Sequence, residues 1–394
     1  MPPRGRPSDG TTRVEIPIDY ETLRVLWWLL LGVLLIGFAV TDGFDLGTGM
    51  LLPFVGKTDV ERRIVINTVG PVWEGNQVWL ITGGGAIFAA WPYLYALSFS
   101  GFYLAMLLVL AALILRPVGF KFRSKLADTR WRRFWDWALF VGGFVPALIF
   151  GVAVGNVIRG VPFHYDETLR PIYDGGLLGL VNPFALLAGV VSVAMLAMHG
   201  GVWLAVKTAD PIAARARIGA TVAAVALILL FALAGLWVAY GLDGYVVTAG
   251  LTHGGASNPT LKEATVEPGA WLSNYGRYAW APLAPILGFA GAALVPVLLR
   301  TGMPGIAFVA SSLSVAGVVA TAGVSIYPFL LPSSTVPSHS LTVFDASSSA
   351  MTLFVLLIAT GILMPLVLAY TAWVYRVLWG KVTAADLESN ENSY

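Results

Sequence analysis

The chain has 394 residues, 57% of them hydrophobic and only 12% charged, with a formal net charge of +2 and a mean hydropathy of +0.76. Soluble domains run near 25% charged, so this composition excludes an ordinary soluble enzyme and marks a polytopic membrane protein. The small charge surplus gives no reason to expect a nucleic-acid partner, and the absence of cysteine excludes disulfides, thiolate metal sites, iron–sulfur clusters and thiol nucleophiles.

Residues 1–22 are polar with scattered charges. The apolar run from Leu23 lacks a small-residue cleavage site, so the first helix is expected to be its own insertion signal. A span needs about 20 apolar residues. Helices are therefore predicted near 23–45, 64–90, 94–116, 134–158, 177–205, 217–241, 278–300, 305–328 and 347–378, nine in all.

The first predicted span ends in Thr41-Asp42-Gly43-Phe44-Asp45-Leu46-Gly47. Asp42 and Asp45, three apart, share a helix face, and Gly43 and Gly47 suit a helix terminus. Capping and interfacial hydrogen bonds account for the two acids. The mouth of a proton path is the other reading.

The second span carries Glu74, Asn76 and Gln77 within the apolar stretch Gly70–Pro92. An ionisable side chain at bilayer depth costs about 2.5–3.5 kcal/mol on insertion scales, so a partner, a water cavity or a proton path must offset it. On a single helix, Asn67, Gly70 or Pro71, Glu74, Gln77 and Ile81 line one face, and Pro71 opens the hydrogen-bond ladder there. Glu74 reads equally as a proton-relay carboxylate or as a structural carboxylate bonded to a neighbour. Gly83-Gly84-Gly85 follows no strand, so it is no phosphate cradle; it suits close helix approach.

Arg116-Pro117 closes the third predicted span, and Trp131-Arg132-Arg133-Phe134-Trp135-Asp136-Trp137 opens the fourth. Asp136 is within helical reach of Arg132 and Arg133, and the Trp/Arg mixture reads as membrane anchoring with lipid headgroup contact. The segment 242–277, rich in Gly, Pro, Asn and Thr, is expected to be a long outer loop with little regular structure; 329–346 is similar and shorter.

Most of the 24 basic residues fall on one side if the N-terminus is outside and nine spans follow. These include Lys57, Arg62, Arg63, Lys121, Arg123, Lys125, Arg130, Arg132 and Arg133, as the positive-inside rule requires. An eight-span arrangement scores as well, and the length and apolarity of 64–90 favour nine. Both arrangements put 117–133 and the C-terminus in the cytoplasm.

Of the four histidines, His164, His253 and His339 fall in predicted outer loops and only His199 lies in a span. A haem held by one chain needs two histidines at membrane depth, or one together with a methionine. His199 is read as a buried histidine bonded to a neighbouring carbonyl, with a single axial ligand as the alternative. No HExxH, EF-hand or P-loop pattern occurs.

Seven blocks resemble subunit II of the cytochrome bd quinol oxidases: DGFDLGTGMLLPF (42–54), ERRIVINTVGPVWEGNQVWLITGGGAIFAAWP (61–92), FSGFYLAMLLVLAALILRPVGFKFRSK (99–125), WDWALFVGGFVPALIFGVAVGN (135–156), GVPF (160–163), NPFALLAGVVSVAML (182–196) and LPSSTVPSHSLTVFDASSS (331–349). They are collinear and cover nearly the whole chain. The resemblance implies an all-α polytopic protein of the bacterial inner membrane. It implies an N-terminal extension (1–22), two four-helix bundles (23–158 and 177–328), a peripheral helix (347–378) and a cytoplasmic tail (379–394).

It further implies a heterodimer with subunit I, accompanied by a small single-span accessory subunit and lipids. That complex oxidises a membrane quinol, reduces O2 to water and builds a proton-motive force without pumping. Low-spin haem b, high-spin haem b and haem d would belong to subunit I, with none ligated here, and some members hold a structural quinone. The position of Glu74 is an aspartate in well-known members, assigned to a proton path from the cytoplasm. Glu74 is therefore the expected proton-path residue, with Asn67, Gln77, Asp42 and Asp45 beside it. The rival reading is a proton-coupled secondary transporter, which predicts internal repeats and broken helices at mid-membrane; no strong repeat is visible.

Overall fold

A computed structural model describes residues 16–389 and Tyr394. The first part of the predicted N-terminal extension and residues 390–393 of the predicted tail lie outside the described residues. The helices are α1 (Tyr20–Val55), α2 (Asp59–Val69), α3 (Trp73–Ala90), α4 (Pro92–Gly101), α5 (Tyr103–Phe122), α6 (Thr129–Arg159), α7 (Leu177–Leu180), α8 (Pro183–Lys207), α9 (Ile212–Tyr240), α10 (Ser273–Arg277), α11 (Leu283–Arg300), α12 (Pro304–Ile326), α13 (Ala350–Val377) and α14 (Ala384–Ser389). Three two-stranded antiparallel sheets complete the fold: β1 (Phe163–Tyr165) with β2 (Pro171–Tyr173), β3 (Asp243–Ala249) with β4 (Glu263–Pro268), and β5 (Phe329–Leu331) with β6 (Leu341–Thr342). The molecule is an all-α polytopic membrane protein.

The helix starts carry their own signals. Asp19 accepts from the Thr22 amide at the head of α1, and Asn182 accepts from Ala185 at the head of α8, with Pro183 in the first helical position. Thr58 and Glu61 form a reciprocal capping box on α2. These contacts satisfy amides that have no partner inside the helix.

Among the described residues, eight helices are long and apolar enough to cross a membrane. A ninth crossing follows from packing. Arg116 of α5 meets Asp42 of α1, while Phe102 and Ala105 share a core cluster with Leu23, Trp27 and Leu31, so α5 runs parallel to α1. Between them α3 runs back: Asn76 meets Asp45, and Ala90 and Trp91 join Leu23 and Trp27. Its 18 residues rise about 27 Å, close to a hydrocarbon core of about 30 Å. Glu74, Asn76 and Gln77 are what keep α3 from reading as fully apolar.

Several expectations need correction. The predicted helix 64–90 is two helices, because Gly70-Pro71-Val72 form a turn. Asn67 lies on α2 and Glu74 on α3, so they do not share a helix face. The first helix does not stop at 45; it continues to Val55, and the DGFD motif sits inside it. Gly47 is thus a packing residue rather than a terminus. The segment 242–277 is not irregular: β3 and β4 pair from Asp243↔Pro268 to Ala249↔Glu263, with a bulge near Val247. Gly83 and Gly85 have open space where a side chain would go, so within this chain close approach occurs elsewhere. A Cβ on Gly47 would overlap the Leu196 carbonyl, and one on Gly200 would overlap the Gly47 backbone. Small residues of this kind let helix backbones touch in a membrane, where apolar burial supplies no driving force.

Candidate functional site

Asp42, Asp45, Arg116, Asn76 and Tyr375 meet inside the bundle, one turn or less from each other along α1 and contributed by α1, α3, α5 and α13. Asp42 and Asp45 face the same way because they are three apart. Arg116 grips Asp42 through two bonds, Nη2 to Oδ1 at 2.7 Å and Nη1 to Oδ2 at 3.0 Å, and its Nη2 lies 3.8 Å from Asp45 Oδ2. The Asn76 amide donates to Asp45 Oδ2 at 2.9 Å, and the Tyr375 hydroxyl donates to Asn76 Oδ1 at 2.6 Å. The guanidinium also lies over Trp73, 5.8 Å from the ring centroid.

One arginine thus serves two buried carboxylates, leaving the cluster one formal negative charge in surplus. Asp45 Oδ1 and Thr48 Oγ1 are buried without a hydrogen-bond partner in the protein. Both residues line a cavity of about 10 Å³, together with Val65, Val69, Phe120 and Leu139. That is roughly the room one water needs, and buried polar atoms of this kind are the usual partners of such a water.

The other predicted site residues are placed apart from this cluster. Glu74 is exposed in the first turn of α3. It precedes Asn76 by two residues, so the two point to opposite sides of the helix. Gln77 is half-buried. Asn67 donates to the main-chain oxygens of Arg63 and Tyr394 and accepts from the Tyr394 amide at 3.0 Å, which ties the end of α2 to Tyr394. Arg116, Asn76 and Tyr375 were not expected as a unit. The only sequence signal was polar residues inside apolar stretches, which does not say which pairs meet.

A second charged network sits at the same, basic end of the bundle. Asp136 is buried between Arg123 at 2.5 Å and Arg62 at 2.7 Å, while Arg132 pairs with Asp59 at 2.6 Å, which Arg123 also reaches. The expected pairing of Asp136 with Arg132 or Arg133 does not form, because residues brought in from α2 and the end of α5 occupy the carboxylate. Glu61 meets Arg215 at 2.6 Å. Burial raises the Glu61 carboxyl, but Arg215 and the Lys57 and Thr58 amides more than offset this and hold it below its ordinary value.

His199 is fully enclosed. Its Nδ1 lies 2.8 Å from Ser311 Oγ and its Nε2 lies 2.8 Å from the Val40 carbonyl, with Phe308 stacked on the ring at 4.9 Å. The carbonyl requires a proton on Nε2, and the Ser311 hydroxyl beside Nδ1 also reaches the Phe308 carbonyl at 2.9 Å. Neither nitrogen is available to a haem iron, and no group of three metal-ligating side chains occurs among the described residues.

Comparison with known proteins agrees with this architecture. Residues 23–378 match the family described as cytochrome bd terminal oxidase subunit II. The chain is 53% identical over 376 residues to the cytochrome bd-I ubiquinol oxidase subunit 2 of Escherichia coli strain K12, covering 95% of this chain and 99% of that one. It is 32% identical to the cytochrome bd ubiquinol oxidase subunit 2 of Bacillus subtilis strain 168, over 92% and 97%. A chain of the bd oxidase structure from Geobacillus thermodenitrificans shares the fold at a TM-score of 0.61 and 16% identity, covering 91% and 98%. The chain belongs to the cytochrome bd terminal oxidase subunit II family.

Proposed function

We propose that this chain is the haem-free subunit of a quinol:oxygen oxidoreductase of the bacterial inner membrane, seated against a haem-bearing subunit I, and that its acidic residues serve proton uptake. In this reading two quinols supply four electrons, and O2 takes four protons to give two waters. If those protons come from the cytoplasm and the quinol protons leave on the other side, a proton-motive force results without pumping. The low-spin b, high-spin b and d haems belong to subunit I, a small single-span subunit joins the pair, and a structural quinone is a further component. The basic end of the bundle, with Arg62, Arg123 and Arg132, is the cytoplasmic end by the positive-inside rule. Helices α1, α3, α5 and α6 form one four-helix bundle, α8, α9, α11 and α12 the other, and α13 lies at the periphery.

The observation that carries the proton role is the position of Glu74. It is an exposed acid at the foot of a helix face otherwise lined by Val78, Ile81 and Phe88, all largely exposed. A charged side chain facing lipid there is costly, whereas a partner subunit on this face turns it into an interface carboxylate. Asp45 faces the opposite way, into its own small cavity. Asn76, itself held by Tyr375, fixes its Oδ2, and Arg116 makes its two bonds to the neighbouring Asp42, so Asp45 Oδ1 is the atom free to take and release a proton.

The test is oxygen consumption by the assembled oxidase carrying Glu74→Gln or Asp45→Asn, with haem absorption recorded on the same sample. Turnover reduced tenfold or more with unchanged haem bands supports proton supply. Full turnover in both variants removes the proton role, and loss of the haem bands makes the residue structural.

A further inference from the structure

We infer that the groove between the end of α5 and the start of α6 is a binding site for an anionic phospholipid. The groove encloses about 500 Å³, within the size range of small-molecule sites. Arg130 and Arg133 stand at its polar end, and Phe134, Trp137, Val141 and Leu115 line the rest.

The charge balance around the groove leaves those two arginines unpaired among the described residues. Arg62, Arg123 and Arg132 are all paired with Asp59 or Asp136. Arg130 and Arg133 are exposed and form no ion pair among the described residues. The nearest acid in sequence, Asp128, accepts from the backbone amide of Arg130 to cap α6. Two guanidiniums are therefore left to an outside anion, and their planar forks match phosphate oxygens.

The order of chemistry along α6 is that of a phospholipid. Arg130, Arg133, Trp137 and Val141 follow one another at helical spacing, over a rise of about 16 Å from first to last. Charge comes first, then an aromatic ring at headgroup depth, then aliphatic wall inside the span. Trp137 meets Phe54 edge-on at 6.4 Å and Phe140 at 5.3 Å, which continues the aromatic wall beside the groove. A zwitterionic lipid brings its own cation to the arginines; an anionic one does not, and the site selects for it.

The experiment uses the protein purified with its copurifying chains, depleted of lipid in detergent and titrated separately with phosphatidylglycerol and phosphatidylcholine under native mass spectrometry. One phosphatidylglycerol is expected to bind at least tenfold more tightly than phosphatidylcholine. Arg130→Gln/Arg133→Gln should lose that preference, Arg130→Lys/Arg133→Lys should keep part of it, and Trp137→Ala should weaken both lipids. Both arginines are exposed, so haem absorption should stay unchanged in all variants. Equal phosphatidylglycerol binding by the parent and the Gln variant, or no preference in the parent because another chain covers the groove, overturns the assignment. The readout is lipid retention, so it stands or fails independently of any role in proton uptake.

Discussion

Arg116 and Asp42 face each other through two parallel hydrogen bonds, with side chains 3% and 0% exposed. A bidentate pair this enclosed is held together by what each partner would suffer alone. Arg116→Leu leaves two carboxylates buried without a cation, a loss of about 3–5 kcal/mol for a broken buried pair. The variant should be scarce in membranes and melt well below the parent. Asp42→Leu/Arg116→Leu removes both charges and should recover part of the loss. Parent-level amounts of Arg116→Leu in membranes would mean that the pair is dispensable.

Gly47 and Gly200 allow α1 and α8 to touch along their backbones. Neither neighbour is a flexible side chain that can move aside. Overpacking typically costs about 1–3 kcal/mol, and Gly47→Ala or Gly200→Ala should fall at or above the top of that range, read as a drop in melting temperature. Gly85→Ala meets nothing within the chain and should be neutral or slightly stabilising in the isolated chain, given the better helix propensity of alanine. If a partner subunit packs on α3, Gly85→Leu should weaken assembly while sparing the chain itself.

These two sites show what could be read from the sequence and what could not. Apolar length located most of the spans, because each helix must satisfy its own backbone in lipid. The break at Gly70-Pro71 was signalled by the proline, yet its consequence, Asn67 and Glu74 on different helices, depends on how α2 folds over the basic end. Asp42 and Asp45 announced a shared face through their spacing. Arg116 looked like a boundary residue because it precedes a proline. It lies inside α5 (Tyr103–Phe122), since Pro117 does not end the helix. The pairing of Asp136 with Arg123 and Arg62 is tertiary, and helical spacing favoured the local arginines that lost.

His199 ties three helices together, with Val40 on α1 and Ser311 on α12. His199→Leu leaves a buried carbonyl and a buried hydroxyl without this partner, a loss of about 1–3 kcal/mol. The expected result is lower thermal stability with the haem absorption per assembled oxidase unchanged. Selective loss of one b-type haem band would instead show that the ring reaches an iron. His199→Gln, which can still donate to Val40, should be milder.

His339 lies outside the spans, where its Nδ1 accepts the Tyr165 amide at 3.0 Å. Burial first, then the nearby charges of Lys262 and His164, hold its pKa below the ordinary 6.5. Protonation turns the acceptor nitrogen into a donor, so the bond to Tyr165 is lost with the neutral ring. A depressed folded value means the unfolded chain binds the proton first. The stabilisation is therefore fully present above about pH 6.5 and declines as pH falls through the folded value. Amide exchange at Tyr165, corrected for intrinsic pH dependence, should be slow at pH 7.5 and speed up on acidification below the ordinary histidine range. In His339→Leu the corrected rate should be fast under both conditions. A corrected rate at pH 7.5 slower in the parent than in His339→Leu keeps the assignment; equal rates in the two proteins at that pH would show that Tyr165 is held by something other than this ring.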